Sequence, residues 1–296
     1  MKDLKGKVAF ITGGSSGIGL GIARVLAAEG MTVAFTWRRQ DHLDHALECF
    51  GDAPEQRIYP VRLDVTDRPG FARAADEVER ECGPVRVLVN NAGVGILGLM
   101  EQATYDDWDW IVGVNLGGVI NGVVTFLPRM LASGEESHIV NVSSMGGIAA
   151  LGTAGLYATT KFAVVGLSEG LRTDMMGRNV GVSVYCPGPV KSNIIEAVKS
   201  RPAAFANTGY EIPDAPTDEP PHPMMVHGME AVEAGRYVLD GIRQNKLFIL
   251  SHPEFRDVIA ARNDALLAAV PDEPINEARA ESVRWLLSNA VYSEGA

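Results

Sequence analysis

Short apolar runs recur along the chain at near-regular intervals. Residues 7–12, 31–36, 58–63 and 85–89 are the first four, 138–144 and 180–186 the next two, and 247–250 the last. Each is four to seven residues long by this reading and rich in Val, Ile, Phe and Leu, as a strand buried on both faces requires. The stretches between them carry apolar residues at helical spacing: 20–29 up to a Gly30 stop, 68–82, a long segment after Thr104-Tyr-Asp-Asp107, and 157–176. Strands alternating with helices predict right-handed βαβ units and an α/β fold, a doubly wound parallel sheet of Rossmann type. Thr104 and Asp107 have capping-box spacing, and the helix they open carries Trp108, Trp110, Ile111, Val114, Leu116, Val119 and Ile120. Asn115 interrupts that face, with Gly113, Gly117 and Gly118 around it, so a local distortion or a held water is expected there.

The same pattern divides the chain into a catalytic-type domain over residues 1–252 and a C-terminal helical extension over 253–296, packed on that domain as helices at 253–270 and 275–291. Residues 201–223 hold Pro202, Pro213, Pro216, Pro220, Pro221 and Pro223 and read as an irregular loop, either a lid, as loops at this place in such a fold lie over a substrate, or a surface excursion. Composition agrees with one domain and a tail: 296 residues, 46% of them apolar. A net charge of −11, from 26 Lys and Arg against 37 Asp and Glu, leaves no basic patch for nucleic acid or an anionic membrane and favours a small-molecule partner. Cys49, Cys82 and Cys186 have neither disulfide nor zinc spacing and suggest reduced thiols in the cytoplasm; His42 and His45 read as a solvated face, so no metal is expected. The charged amino terminus, followed by only a short apolar run, predicts no signal peptide or membrane span.

Candidate chemistry gathers where the runs end. Gly13-Gly-Ser-Ser-Gly-Ile-Gly19 joins the first strand to the first helix, and Gly13, Ser15, Ser16, Gly17, Ile18 and Gly19 form a turn able to bring backbone N–H groups against a pyrophosphate. Trp37, Arg38 and Arg39 follow the second strand, where a carboxylate binds a ribose 2′-hydroxyl and an arginine clamps a 2′-phosphate. The cofactor expected is therefore NADP(H) in preference to NAD(H), with Arg38 the first choice of clamp. Asp64, after the third strand, either meets an adenine amine or caps a turn. Tyr157 and Lys161, four apart on one helix, share a face, so the ammonium can favour phenolate and draw the phenol towards the working pH. Ser144 ends a strand where its hydroxyl can meet a substrate oxygen. Taken alone, these three are equally an amphipathic helix and a turn serine.

In order and spacing, Thr12-Gly-x-x-x-Gly-x-Gly19, Asn90-Asn-Ala-Gly93, Asn115, Ser144, Tyr157-x-x-x-Lys161 and Pro187-Gly188 resemble the single-domain branch of the short-chain dehydrogenase/reductase family. The resemblance implies that Tyr157 is the acid/base, that Ser144 binds the carbonyl or alcohol oxygen, and that Lys161 holds the nicotinamide ribose and lowers the Tyr157 pKa. It further implies that Asn115 holds a relay water. Asn91, Ala92 and Gly93 would line the cofactor, Asp64 and Val65 the adenine, and Pro187, Gly188, Val190 and Ser192 the carboxamide side. It also implies a homodimer or homotetramer assembled through the helices near Asn115 and Tyr157.

A closer likeness, through Thr104-Tyr-Asp-Asp-Trp-Asp-Trp110, Asn121-Gly122, Arg201-Pro202 and Asn245-Lys-Leu-Phe-Ile249, is to bacterial dehydrogenases that oxidise the benzylic (Cα) alcohol of lignin-derived aryl ethers. Trp37-Arg38-Arg39 departs from the acidic, NAD-preferring pattern of that group. The expected substrate is a bulky, weakly polar alcohol or ketone touched by Ser144, Met145, Leu151, Tyr157 and Pro189. The competing readings are an NAD-dependent benzylic alcohol dehydrogenase and a non-catalytic NADP-binding sensor.

Overall fold

The computed structural model describes residues 1–51, 57–150, 152–210, 226–287 and 290–292. Seven strands, β1 (Val8–Ile11), β2 (Thr32–Trp37), β3 (Arg57–Arg62), β4 (Val85–Asn90), β5 (Ser137–Val142), β6 (Val180–Cys186) and β7 (Phe248–Leu250), form one parallel sheet in the order β3-β2-β1-β4-β5-β6-β7. The expected doubly wound architecture is the one observed. Its cause is visible in β1, where Ala9 and Ile11 enter the core on one face and Val8 and Phe10 the core on the other. A strand apolar on both sides needs a helix layer on each.

One layer contains α1 (Gly17–Ala28), α2 (Gln40–Phe50) and α7 (Ala231–Gln244); the other contains α3 (Arg68–Cys82), α4 (Tyr105–Val112), α5 (Gly118–Ser133) and α6 (Gly155–Asp174). Helices α1 and α7 touch backbone to backbone: a Cβ on Gly21 would stand 1.9 Å from the Ala231 carbonyl oxygen. The long segment after Thr104 opens with the expected capping box, Thr104 receiving the Asp107 N–H and Asp107 receiving the Thr104 N–H. It is not one continuous α-helix. A π-helical turn, Gly113–Gly117, separates α4 from α5 and holds Asn115 at its centre. Residues 105–133 are apolar and long enough to span a bilayer by composition, yet half of the most apolar stretch is buried against the sheet, as in a core helix.

The C-terminal extension differs from the two helices expected. A 3₁₀ turn at Pro253–Phe255 precedes α8 (Arg256–Ala268), and the second segment is divided into α9 (Glu277–Ser282), α10 (Arg284–Leu287) and a turn at Ala290–Tyr292. No residue of α8 or α9 is buried, so no packed face holds these short helices together as one. The extension meets the domain where Phe255 and Ile259 pack under Met145 and Cys186, where the Arg262 guanidinium lies over the Phe162 ring, and where Tyr292 donates to Glu169.

Candidate active site

The sheet order reverses between β1 and β4, and the crevice at a reversal is where open α/β sheets bind ligands. Three loops converge there. Gly13 has φ +63°, and a Cβ on it would lie 3.0 Å from Ala92 Cα; Gly17 has φ +50°, and a Cβ on it would lie 2.8 Å from Ser192 Cβ. Glycine therefore serves both the left-handed turn and the contact between loops. Thr12 secures the junction by accepting from the N–H groups of Asn91 and Ala92, while the Asn91 amide donates to the carbonyls of Thr12 and Gly13. Thr36, at the end of β2, accepts from the Gly13 N–H at 2.9 Å.

Helix α1 begins without a side-chain cap or an acidic residue in its first turn, although Ser16 occupies the N-cap. Its free N–H groups and positive end are thus open to an anion. This uncapped turn, the glycine cradle and the two arginines beyond β2 fit a dinucleotide.

The second half of the site is built on β5 and α6. Ser143 is buried and donates to the Lys161 carbonyl at 2.8 Å, fixing α6 to the end of β5. Ser144 is half-buried, accepts from the Gly146 N–H at 3.1 Å and stands beside the Tyr157 phenol. One turn along α6, the Lys161 ammonium donates to the Val142 carbonyl at 3.0 Å and lies 5.6 Å from the Tyr157 ring centre. Asn115 donates to the Val94 carbonyl at 2.9 Å and to Thr160 at 3.1 Å, and accepts from the Val94 N–H at 2.8 Å. Both amide protons are in use, so the side chain ties the β4 loop to α6 across the π turn. Gly93 stands between the two halves: a Cβ there would lie 3.3 Å from Asn115 Oδ1 and 3.6 Å from Lys161 Nζ.

Burial sets the protonation of the site. Part of Tyr157 is open to the crevice, but its hydroxyl is deep enough that desolvation pushes the phenol up to about 12, against the opposing hydrogen bond from Ser144. Desolvation likewise lowers the Lys161 ammonium to about 8 and raises the Cys186 thiol beneath it to about 12. The depressed phenol that the resemblance implies is therefore not a property of the pocket by itself. At neutral pH, Tyr157 is a protonated donor beside a largely protonated lysine.

Beyond the ends of β2 and β3, Arg38 donates to Asp64 at 3.1 Å and Arg39 pairs with Asp41. Asp64 also accepts from the Thr66 N–H and hydroxyl, the turn-capping alternative, and Val65 packs against Gly118. Trp37 ends β2 with the Arg62 guanidinium over its ring. On the β6 side, Pro187 is buried, its carbonyl accepts from the Met145 N–H, and Val190 bridges to Met229.

Met145 is buried with Val165, Val184 and Cys186, a core position rather than a pocket wall, and Leu151 lies outside the described residues. Residues 211–223 of the proline-rich loop also lie outside them, but 201–210 are firmly anchored. The Arg201 guanidinium pairs with the fully buried Asp107 at 2.5 Å, donates to the carbonyls of Phe205 and Asn207, and lies 5.1 Å over the Trp110 ring. Asp107 also receives Thr208 and the Thr104 N–H. Burial opposes its ionisation, and these hydrogen bonds nonetheless hold its carboxyl below the usual range. Tyr210 then lays its ring against Gly98, its hydroxyl buried without a partner among the described residues. Arg201 and Asp107 belong to two separate motifs of the sequence, and only the fold shows that they are one construction. Among the described residues, no group of three or more His, Cys, Asp or Glu is placed to hold a metal ion.

A doubly wound sheet with an anion-binding glycine turn and a Ser, Tyr and Lys set across the crevice defines a nicotinamide-nucleotide oxidoreductase. The chain belongs to the short-chain dehydrogenase family, whose model matches residues 7–203. It is accordingly an NAD(P)-dependent oxidoreductase of alcohols and ketones. It is 40% identical over its whole length, and 98% of the relative's, to a C alpha-dehydrogenase of Sphingobium sp. SYK-6. It is 35% identical, over 65% of its length and 77% of the relative's, to an NADP-dependent (R)-specific alcohol dehydrogenase of Lentilactobacillus kefiri. A short-chain dehydrogenase/reductase of Burkholderia phymatum, solved in complex with NAD, superposes with a TM-score of 0.81 at 30% identity, over 93% of this chain and all of the other.

Proposed function

We propose that the protein interconverts a secondary alcohol and its ketone on a bulky aromatic substrate, with Tyr157 as the acid/base and NADP(H) as the preferred cofactor. The observation that carries this reading is the Ser144, Tyr157 and Lys161 set standing across one crevice from the glycine turn. A nicotinamide held there would supply the hydride to the carbonyl carbon or take it from the carbinol carbon. In the reducing direction, Tyr157 donates its proton to the substrate oxygen, which Ser144 holds by a hydrogen bond. The Lys161 ammonium stabilises the phenolate left behind, and a proton from solvent restores the phenol. Oxidation runs the same transfers in reverse, with the phenolate taking the alcohol proton. Desolvation, which raises the phenol to about 12, keeps Tyr157 protonated at neutral pH in the protein by itself.

Gly13 to Gly19 would hold the pyrophosphate, Asn91 to Gly93 the middle of the cofactor, and the 187–192 turn the nicotinamide side. Arg38 would take the 2′-phosphate by leaving Asp64, with Arg39 beside it. Both amide protons of Asn115 are in use, so a relay water would be held by the main chain of the π turn or by the second lone pair of Asn115 Oδ1. Full-length identity to a C alpha-dehydrogenase supports a benzylic alcohol carbon as the reacting centre.

An NAD-dependent form of the same reaction is favoured by one observation, the Arg38–Asp64 pair, which leaves a carboxylate close to where a ribose would lie. A sensor that binds cofactor without turnover has no missing catalytic group to support it. The unpaired cysteines support a reducing, cytoplasmic setting, and exposed Val112, Ile120 and Val124 on α4 and α5 support self-association there.

The test is a side-by-side assay of NADPH and NADH over a panel of aryl ketones and the matching alcohols with NADP⁺ and NAD⁺. Turnover of aryl ketones with NADPH favoured at least about tenfold is expected, and Arg38→Asp should reverse the preference. No turnover in either direction would end the oxidoreductase reading of this substrate class, and equal losses for both cofactors in Arg38→Asp would end the 2′-phosphate reading.

A further inference from the structure

The turn after β6, residues 187–192, is held by a group outside every motif of the sequence. His252 stands two residues beyond β7, and β7 lies beside β6 in the sheet. Its Nδ1 is 3.0 Å from the Gly188 N–H and its Nε2 is 3.0 Å from the Pro189 carbonyl oxygen. A backbone N–H can only donate and a backbone carbonyl can only accept, so the two ends of the ring are assigned independently. Nδ1 is the acceptor and Nε2 carries the proton. With Nδ1 the acceptor, the Ser251 hydroxyl, 2.9 Å from Nδ1 and 3.0 Å from the Tyr185 hydroxyl, can only share the single Nδ1 lone pair with the Gly188 N–H.

The fit at Gly188 is close. A Cβ there would stand 2.8 Å from the imidazole and 2.7 Å from the Phe255 ring, which packs edge-on against His252. Glycine at this position answers to the histidine. The Pro189 carbonyl accepts a second bond from the Met229 N–H at 3.0 Å, so the turn is fixed from two sides.

We infer that His252 is a positioning residue for the nicotinamide half of the cofactor, acting as a neutral strut that sets the height of the Gly188–Pro189 peptide. The inference rests on the functional reading above, in which this turn faces the nicotinamide. Truncating the ring would loosen the turn while leaving the glycine loop and the Arg38 end as they are. Binding of the whole cofactor should weaken, and binding of its nicotinamide-free fragment should not. Two polar substitutions separate the two bonds. In His252→Asn the amide oxygen would keep the acceptor for the Gly188 N–H, whereas in His252→Gln the amide nitrogen would keep only the donor to Pro189.

Calorimetric titration of wild type, His252→Leu, His252→Asn and His252→Gln with NADPH, NADH, ADP-ribose and 2′-phospho-ADP-ribose tests this. In His252→Leu, affinity for the preferred dinucleotide should fall about tenfold, the equivalent of one hydrogen bond, with fragment affinity within about twofold of wild type. His252→Asn should recover most of the loss and His252→Gln little of it. Equal losses for dinucleotide and fragment, unchanged dinucleotide binding, or equal rescue by the two amide variants would each overturn the inference. If wild type binds the fragment but no dinucleotide, the inferred nicotinamide role falls alone; if it binds neither, the cofactor reading falls and takes this inference with it. Nitrogen-15 spectra of wild type supply a check independent of any variant's folding. They should show His252 as the Nε2–H tautomer, and an Nδ1–H tautomer would overturn the assignment.

Discussion

Replacing Arg201 with Met keeps most of the side chain's length and removes its charge, so it isolates what the guanidinium does for residues 201–210. In the native fold that group pairs with Asp107 at 2.5 Å, donates to two main-chain carbonyls and covers Trp110, with 7% of its side chain exposed and none of the Asp107 side chain. Breaking a buried pair from one side costs roughly 3–5 kcal/mol, because the remaining charge is left in a poor solvent. Asp107 keeps the Thr104 N–H at 2.8 Å and the Thr208 hydroxyl at 2.8 Å, which places the expected loss near the lower end, about 3 kcal/mol. For a chain of this size that is a fall of roughly 6–12 °C in Tm at fixed protein concentration. Urea unfolding of wild type, Arg201→Met, Asp107→Asn and the double variant forms a cycle, and the pair should couple by at least about 1 kcal/mol. A loss below about 0.5 kcal/mol in Arg201→Met, the behaviour of an exposed ion pair, would refute the argument that the loop is latched by a desolvated charge.

Three further outcomes follow from other parts of the molecule. Gly21→Ala should destabilise the fold by about 2–3 kcal/mol, because its Cβ would overlap the Ala231 carbonyl and force α1 from α7; a change in urea midpoint within error would mean that the helices have slack. Lys161 is lowered to about 8, so the rate of ketone reduction should fall as pH rises through that value and the ammonium is lost, whereas a flat profile to about pH 10 would separate Lys161 from the chemistry. His138 is buried, donates to Ser183 and is lowered to about 3 by desolvation; the folded state excludes a proton that the unfolded state takes up near 6.5, so its contribution is present above 6.5 and is lost as pH falls towards 3. Between pH 7 and 5 the loss is about 2 kcal/mol, and His138→Gln should remove that fall, with an unchanged slope contradicting the assignment.

The sheet was legible because parallel strands buried on both faces leave continuous apolar runs, and the runs of β1, β4 and β6 end at the Gly13, Asn90 and Pro187 that start loops of the site. Asn115 was also legible as a misfit in an apolar helix, and the π turn is the form the misfit takes. Contacts between distant segments were less so. Nothing near Arg201 marks Asp107 as its partner, and His252 is an ordinary loop residue until β7 is set beside β6. Met145 was misplaced because an apolar residue next to a catalytic serine reads the same whether it faces a pocket or a core; the 3₁₀ turn at Met145–Gly147 directs it inward. The upward shift of the Tyr157 phenol was hidden for a related reason, since spacing brings Lys161 near but burial decides which effect prevails.

The central claim is that Tyr157 moves the proton while the rest of the site holds the cofactor. Single-turnover reduction of an aryl ketone by Tyr157→Phe, beside a fluorescence titration of NADPH on the same preparation, tests it most directly. The account predicts cofactor affinity within about twofold of wild type and a rate lower by roughly 10²–10⁴. A rate within about tenfold of wild type, with the cofactor bound equally well, would contradict it.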